Sequence, residues 1–73
     1  MTTAEYALQE LTEREIEIAR LVAQGLGNKQ IAERIGTTVG GIRRSLENTF
    51  QKLSIDNRTM LAVIVQAWPG AAR

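Results

Sequence analysis

The side chains best equipped for chemistry cluster between residues 38 and 52, where Arg43, Arg44, Glu47 and Asn48 recur at helical spacing with Gly40 and Gln51. At about 100° per residue these positions share the polar side of a helix, opposite a stripe about 60° wide made by Ile42, Leu46, Thr49 and Leu53. Guanidinium forks, a carboxylate and an amide on one face supply donors and acceptors for recognising another polar surface. They do not supply an activated nucleophile. The chain has no cysteine and no histidine, which removes the usual zinc ligand sets, thiol nucleophiles and the commonest general base. Ser45 and Ser54 therefore have no histidine to activate them. An enzyme is not expected, and neither a catalytic residue, a metal site nor a cofactor.

Such a face must be positioned by other elements. Thr12-Glu13-Arg14-Glu15 places a hydroxyl three residues before a glutamate, the spacing of a capping box, so a first helix is expected after Thr12. Ile18, Leu21 and Val22 recur on its inner face, Leu11 packs back from outside its start, and Gly25 with Gly27 stops it. Asn28 is expected to cap a short second helix in which Ile31, Ala32 and Ile35 face inward, and Gly36 ends it. Thr37 and Thr38 alone separate this from the third helix, about Val39 to Leu53, with Thr38 as its cap. After Ser54-Ile55-Asp56-Asn57, a fourth helix starting at Asn57 or Thr59 places Leu61, Ile64, Val65 and Trp68 on one face, and Pro69-Gly70 ends it.

The expected fold is all-α, a four-helix helix-turn-helix domain over residues 11–68. A flexible segment of residues 1–10 precedes it, a tail of residues 69–73 follows, and the motif itself lies at about 28–47. At 73 residues the chain has room for one core only, since domains commonly run to about 100 to 200 residues. A short helix, a Gly-containing turn and a longer helix with a basic outer face is the arrangement that places the second helix in the major groove of duplex DNA. Gly40 and Gly41 stand at the entering end, where each costs about 0.5 to 1 kcal/mol relative to alanine, so close backbone approach is expected there.

Net charge is only +1, but it is sorted along the chain. Residues 1 to 27 carry five glutamates against two arginines, and residues 28 to 58 carry six basic against three acidic residues. The N-terminus has no basic region followed by an apolar stretch, so no secretory signal is expected. The longest apolar run, Met60 to Val65, is six residues, far short of the roughly 20 that span a bilayer. A soluble protein of the reducing cytoplasm is expected, without membrane contact.

Several motifs in order carry a family resemblance. Leu11-Thr12-Glu13-Arg14-Glu15, Gly25-Leu26-Gly27-Asn28-Lys29-Gln30-Ile31-Ala32, Ile42-Arg43, Asn48, Lys52-Leu53 and Asn57-Arg58-Thr59 resemble the LuxR-type (FixJ- or NarL-type) domain of bacterial transcription regulators. The resemblance covers residues 11 to about 67 and implies four helices, sequence-specific binding of double-stranded DNA, and dimerisation through the last helix. Arg43 and Arg44 fall where the family contacts bases. Glu47 falls at such a position too, where a basic or polar residue is usual; it would accept from cytosine or merely reject phosphate. Lys29, Thr38 and Lys52 are expected near phosphates, and Asn48 either on DNA or in a structural hydrogen bond. The chain departs from the family at Thr37, Gly41, Ser45 and Ser54, where Ile or Val, Thr, His and Gly are usual.

The fourth helix has more apolar residues than one face can hold, with Met60, Val63 and Ala67 outside the inward stripe. A homodimer through this helix would set two recognition helices about one DNA turn, roughly 34 Å, apart and favour an inverted-repeat site. Ile16 lies off the inner stripe of the first helix: it is a singly exposed apolar residue, or a contact for another domain or RNA polymerase. The alternative to DNA binding is a protein-binding or dimerisation module of the same fold.

Overall fold

The computed structural model describes residues 7–68, which include four helices: α1 (Glu13–Ala23), α2 (Asn28–Ile35), α3 (Val39–Leu53) and α4 (Arg58–Ala67). Among the described residues there is no strand. Helix α1 is closed at its start by the expected capping box, in which Thr12 Oγ1 accepts from the Glu15 amide at 3.1 Å and Glu15 Oε1 accepts from the Thr12 amide at 2.8 Å. It ends at Gly25, whose φ of +92° an L side chain rarely adopts, and the Leu26 amide bonds back to the Leu21 carbonyl at 3.1 Å.

Helix α1 is the hub: it touches all three others, α4 most extensively, while α3 packs on α2 and α1. The predicted inner stripes form one core, with Ile18, Leu21 and Val22 of α1, Ile31 and Ala32 of α2, Ile42, Leu46 and Leu53 of α3, and Leu61 and Val65 of α4 all buried. Ile35, Ile64 and Trp68 are half-buried at its edge.

Two expectations are corrected. Asn28 does not cap α2; Gly27 does, with no side chain to bond the helix amides, and Gln30 Oε1 reaches back to accept from the Gly27 amide at 2.9 Å. Asn28 is the first residue of the helix, and its side chain is used elsewhere. The boundary at residue 11 also falls too late. Ala7 and Leu8 are helical, and Leu8 is 1% exposed in the core, fixed by bonds from the Glu10 amide to the Ala7 carbonyl and from the Leu11 amide to the Leu8 carbonyl. Residues 1–6 of the expected flexible segment, and the tail 69–73, lie outside the described residues.

Helix α4 is capped by Asn57, whose Oδ1 accepts from the Met60 amide at 2.8 Å. Just before it, Ser54 closes α3 with φ 55° and ψ 44°, a left-handed conformation taken here by a residue with a Cβ. That conformation costs an L residue about 1 to 2 kcal/mol, against about 0.5 to 1 kcal/mol of extra chain entropy for glycine. Ser54→Gly is therefore expected to stabilise the domain by about 0.5 to 1 kcal/mol, read as a raised melting temperature. An unchanged or lowered one would mean that the Ser54 backbone carries no strain.

Candidate nucleic-acid interface

The turn that delivers α3 is three residues long. Gly36 takes φ +86°, so that its amide and that of Thr37 both reach the Ala32 carbonyl, at 2.8 and 2.9 Å. Thr38 then adopts extended backbone, and its Oγ1 accepts from the Gly41 amide at 3.0 Å, as its expected role as cap requires. Ile42, Leu46, Thr49 and Leu53 are buried below, and the Thr49 hydroxyl, which would otherwise stand unsatisfied in the core, donates to the Ser45 carbonyl at 2.9 Å. With that stripe fixed inward, the opposite side of α3 has to face water.

Gly40, Arg43, Arg44, Glu47, Asn48 and Gln51 are all exposed. Among the described residues none of these side chains makes a hydrogen bond or ion pair within the chain, so two guanidiniums, a carboxylate and two amides stand with their bonding capacity open. Lys29 is also exposed, in the first turn of α2. The two glycines have different grounds. A Cβ on Gly41 would lie 3.0 Å from Thr37 Oγ1 and 3.3 Å from Thr38 Oγ1, so the turn itself favours glycine there. One on Gly40 would meet nothing closer than Thr38 Oγ1 at 3.9 Å. Nothing inside the chain requires that glycine.

Lys52, expected near a phosphate, is bonded within the chain. Its Nζ donates to Glu15 Oε1 at 2.7 Å and reaches the Glu10 carbonyl at 3.4 Å, tying the end of α3 to the start of α1. Glu15 is 6% exposed, and burial alone would push its carboxyl up. Hydrogen bonds from Lys52 and the Thr12 amide, with the Lys52 charge, outweigh burial and hold it below the ordinary glutamate value.

Sequence reasoning gave Arg58 no task beyond its charge and its place in a motif. Its Nη1 donates to Asn28 Oδ1 and its Nη2 to the Leu26 carbonyl at 2.6 Å, fastening the start of α4 to the connection between α1 and α2. Met60 and Val63 on α4 are 44% and 53% exposed, and Ala67 is exposed beside them. Ile16 is not singly exposed. It is half-buried against the core and lines an open cleft of about 920 Å³ with Arg20 and Trp68.

Comparison with known proteins places the chain among bacterial regulators. A family model described as "Bacterial regulatory proteins, luxR family" matches residues 9–65. The transcriptional regulatory protein LnrK of Bacillus subtilis is 41% identical over 56 residues, 77% of this chain and 26% of that protein. The nitrate/nitrite response regulator protein NarL of Escherichia coli is 36% identical over 63 residues, 86% of this chain and 29% of that protein. The chain thus spans only about a quarter of the length of the relatives it matches.

The ion pair between Lys52 and Glu15 yields a pH-dependent expectation. Lys52→Met keeps the aliphatic stem but leaves a buried carboxylate without its ammonium, and should destabilise the domain by about 1 to 3 kcal/mol near neutral pH. Because the folded-state value of Glu15 is depressed, its contribution is present above the unfolded value, about 4.3, and lost as the pH falls through the lower folded value. Denaturant titrations should show the gap between parent and variant closing on acidification below about pH 4.3. A gap constant from pH 7 to 3 would show that the pair does not couple to the fold.

Proposed function

Because the chain belongs to the luxR family of bacterial regulatory proteins, a helix-turn-helix family of transcriptional regulators, we propose that it binds duplex DNA sequence-specifically. In this reading α3 enters the major groove and Arg43, Arg44 and Glu47 face base edges. The major groove is the one wide enough for a helix, and there each base pair presents a distinct pattern of donors and acceptors. The observation that carries the reading is the outer face of α3: its polar side chains are exposed and unpaired, opposite a stripe that is wholly buried. Lys29 and the free hydroxyl donor of Thr38 flank the entering end and serve phosphates, and Asn48 lies on the DNA side of the helix. The open space at Gly40 suits close approach of a phosphate to the helix N-terminus.

The apolar surface of Met60, Val63 and Ala67 fits a second copy of the chain, giving a two-fold dimer on an inverted repeat. The net charge of +1 favours the alternative, a protein-binding module. Salt separates the two, because phosphate contacts release counterions and weaken steeply with salt, whereas an apolar protein contact does not.

Arg43→Ala and Arg44→Ala should each weaken binding to a selected duplex by about 1 to 3 kcal/mol while leaving the melting temperature unchanged. Full affinity in both variants, measured by fluorescence anisotropy across a salt series, would remove α3 from the interface. Val63→Asp tests the dimer separately. It should cost about 1 to 3 kcal/mol on an inverted-repeat duplex and nothing on a half-site, since only paired α4 helices would bury the new charge. Equal losses on both duplexes, or none on the full site, would exclude pairing through α4.

A further inference from the structure

Glu47 is the acidic residue on the outer face of α3, among Arg43, Arg44, Asn48 and Gln51. It follows Arg43 by four residues and Arg44 by three, the two spacings at which a helical ion pair would neutralise it. Among the described residues it pairs with neither, although Arg14 and Glu17 meet at 3.8 Å at the shorter spacing and Glu15 is held by Lys52. Its carboxylate is exposed and free. On a surface that meets a polyanion such a charge opposes binding unless a donor on the DNA satisfies it.

The major-groove edges offer few such donors. Guanine presents N7 and O6 acceptors, thymine an O4 acceptor and a methyl group, and adenine sets its amino group beside the N7 acceptor. Cytosine presents an amino group with no acceptor of its own next to it. We propose that Glu47 is a specificity-determining residue that demands cytosine at one position of each half-site. This rests on the DNA-binding reading above. Four residues of helix rise about 6 Å, close to two base-pair steps of about 3.4 Å, so the cytosine lies about two steps from the base pair met by Arg43. Arg43 and Arg44 supply affinity, and Glu47 supplies rejection of sites that leave its carboxylate facing acceptors.

The test selects bound duplexes from a random pool with the parent chain, E47Q and E47A, then measures affinities on the selected sites. Glutamine has the same shape without the charge, and its amide matches the N6 and N7 edge of adenine. E47Q should therefore move one position from cytosine to adenine and leave the others unchanged, reversing a preference of roughly 10- to 100-fold between the two duplexes. E47A should flatten the same position. Both variants should bind an unrelated duplex more tightly than the parent does, because the carboxylate no longer opposes the phosphates. Identical base frequencies for all three chains, with the variants simply tighter on every duplex, would overturn the proposal and leave Glu47 as a repulsive charge alone. A parent chain that enriches no sequence would instead overturn the DNA-binding reading, and this inference with it.

Discussion

One oxygen of Glu15 receives both the Thr12 amide at 2.8 Å and the Lys52 ammonium at 2.7 Å, and the attitude of α3 depends on that shared acceptor. A carboxylate so nearly removed from water is tolerated only when its oxygens are bonded. The capping box that starts α1 therefore also fixes where α3 must end. At the other end of α3 the turn at Gly36 and the Thr38 cap set its entry, and between them Ile42 and Leu46 hold its roll about its own axis. A recognition helix pinned at both ends and along one side presents its outer side chains on a rigid frame, which selective hydrogen bonding to another surface requires.

The basic residues between positions 28 and 58 fall into two sets. Lys52 and Arg58 are bonded within the chain, to Glu15 and to Asn28 with the Leu26 carbonyl, and hold helices together. Arg43, Arg44, Lys29 and Arg34 stay exposed and available to an anionic partner. A net charge of +1 hides this sorting, because it counts bonded clamps and free guanidiniums alike. With few free cations and one free carboxylate on α3, the surface suits discrimination between sites better than indiscriminate attraction to phosphate.

Legibility in the sequence followed the range of the interaction. The bounds and inner stripe of α3, the Thr12 capping box and the Thr38 cap depend on spacings of three to eleven residues, and the structure matches them. The place of Leu8 in the core is not legible locally, because Ala7, Leu8 and Leu11 are too short an apolar pattern to mark a helix and burial there depends on packing. Gly27 rather than Asn28 caps α2, and the Asn28 side chain accepts from Arg58, 30 residues away. The partner of Lys52 lies 37 residues away, so no local spacing shows the clamp it makes. The partial burial of Ile16 is likewise not legible locally, because the Trp68 that shares its cleft is distant in the sequence.

In the proposed reading duplex DNA meets the outer face of α3. Amide chemical shifts followed by NMR during titration with a short duplex test it residue by residue. The largest changes should fall between Thr38 and Gln51, centred on Gly40, Arg43, Arg44 and Glu47, and added salt should reverse them. Changes confined to the Met60, Val63 and Ala67 face of α4 or to the cleft beside Ile16, with α3 unmoved, would contradict it.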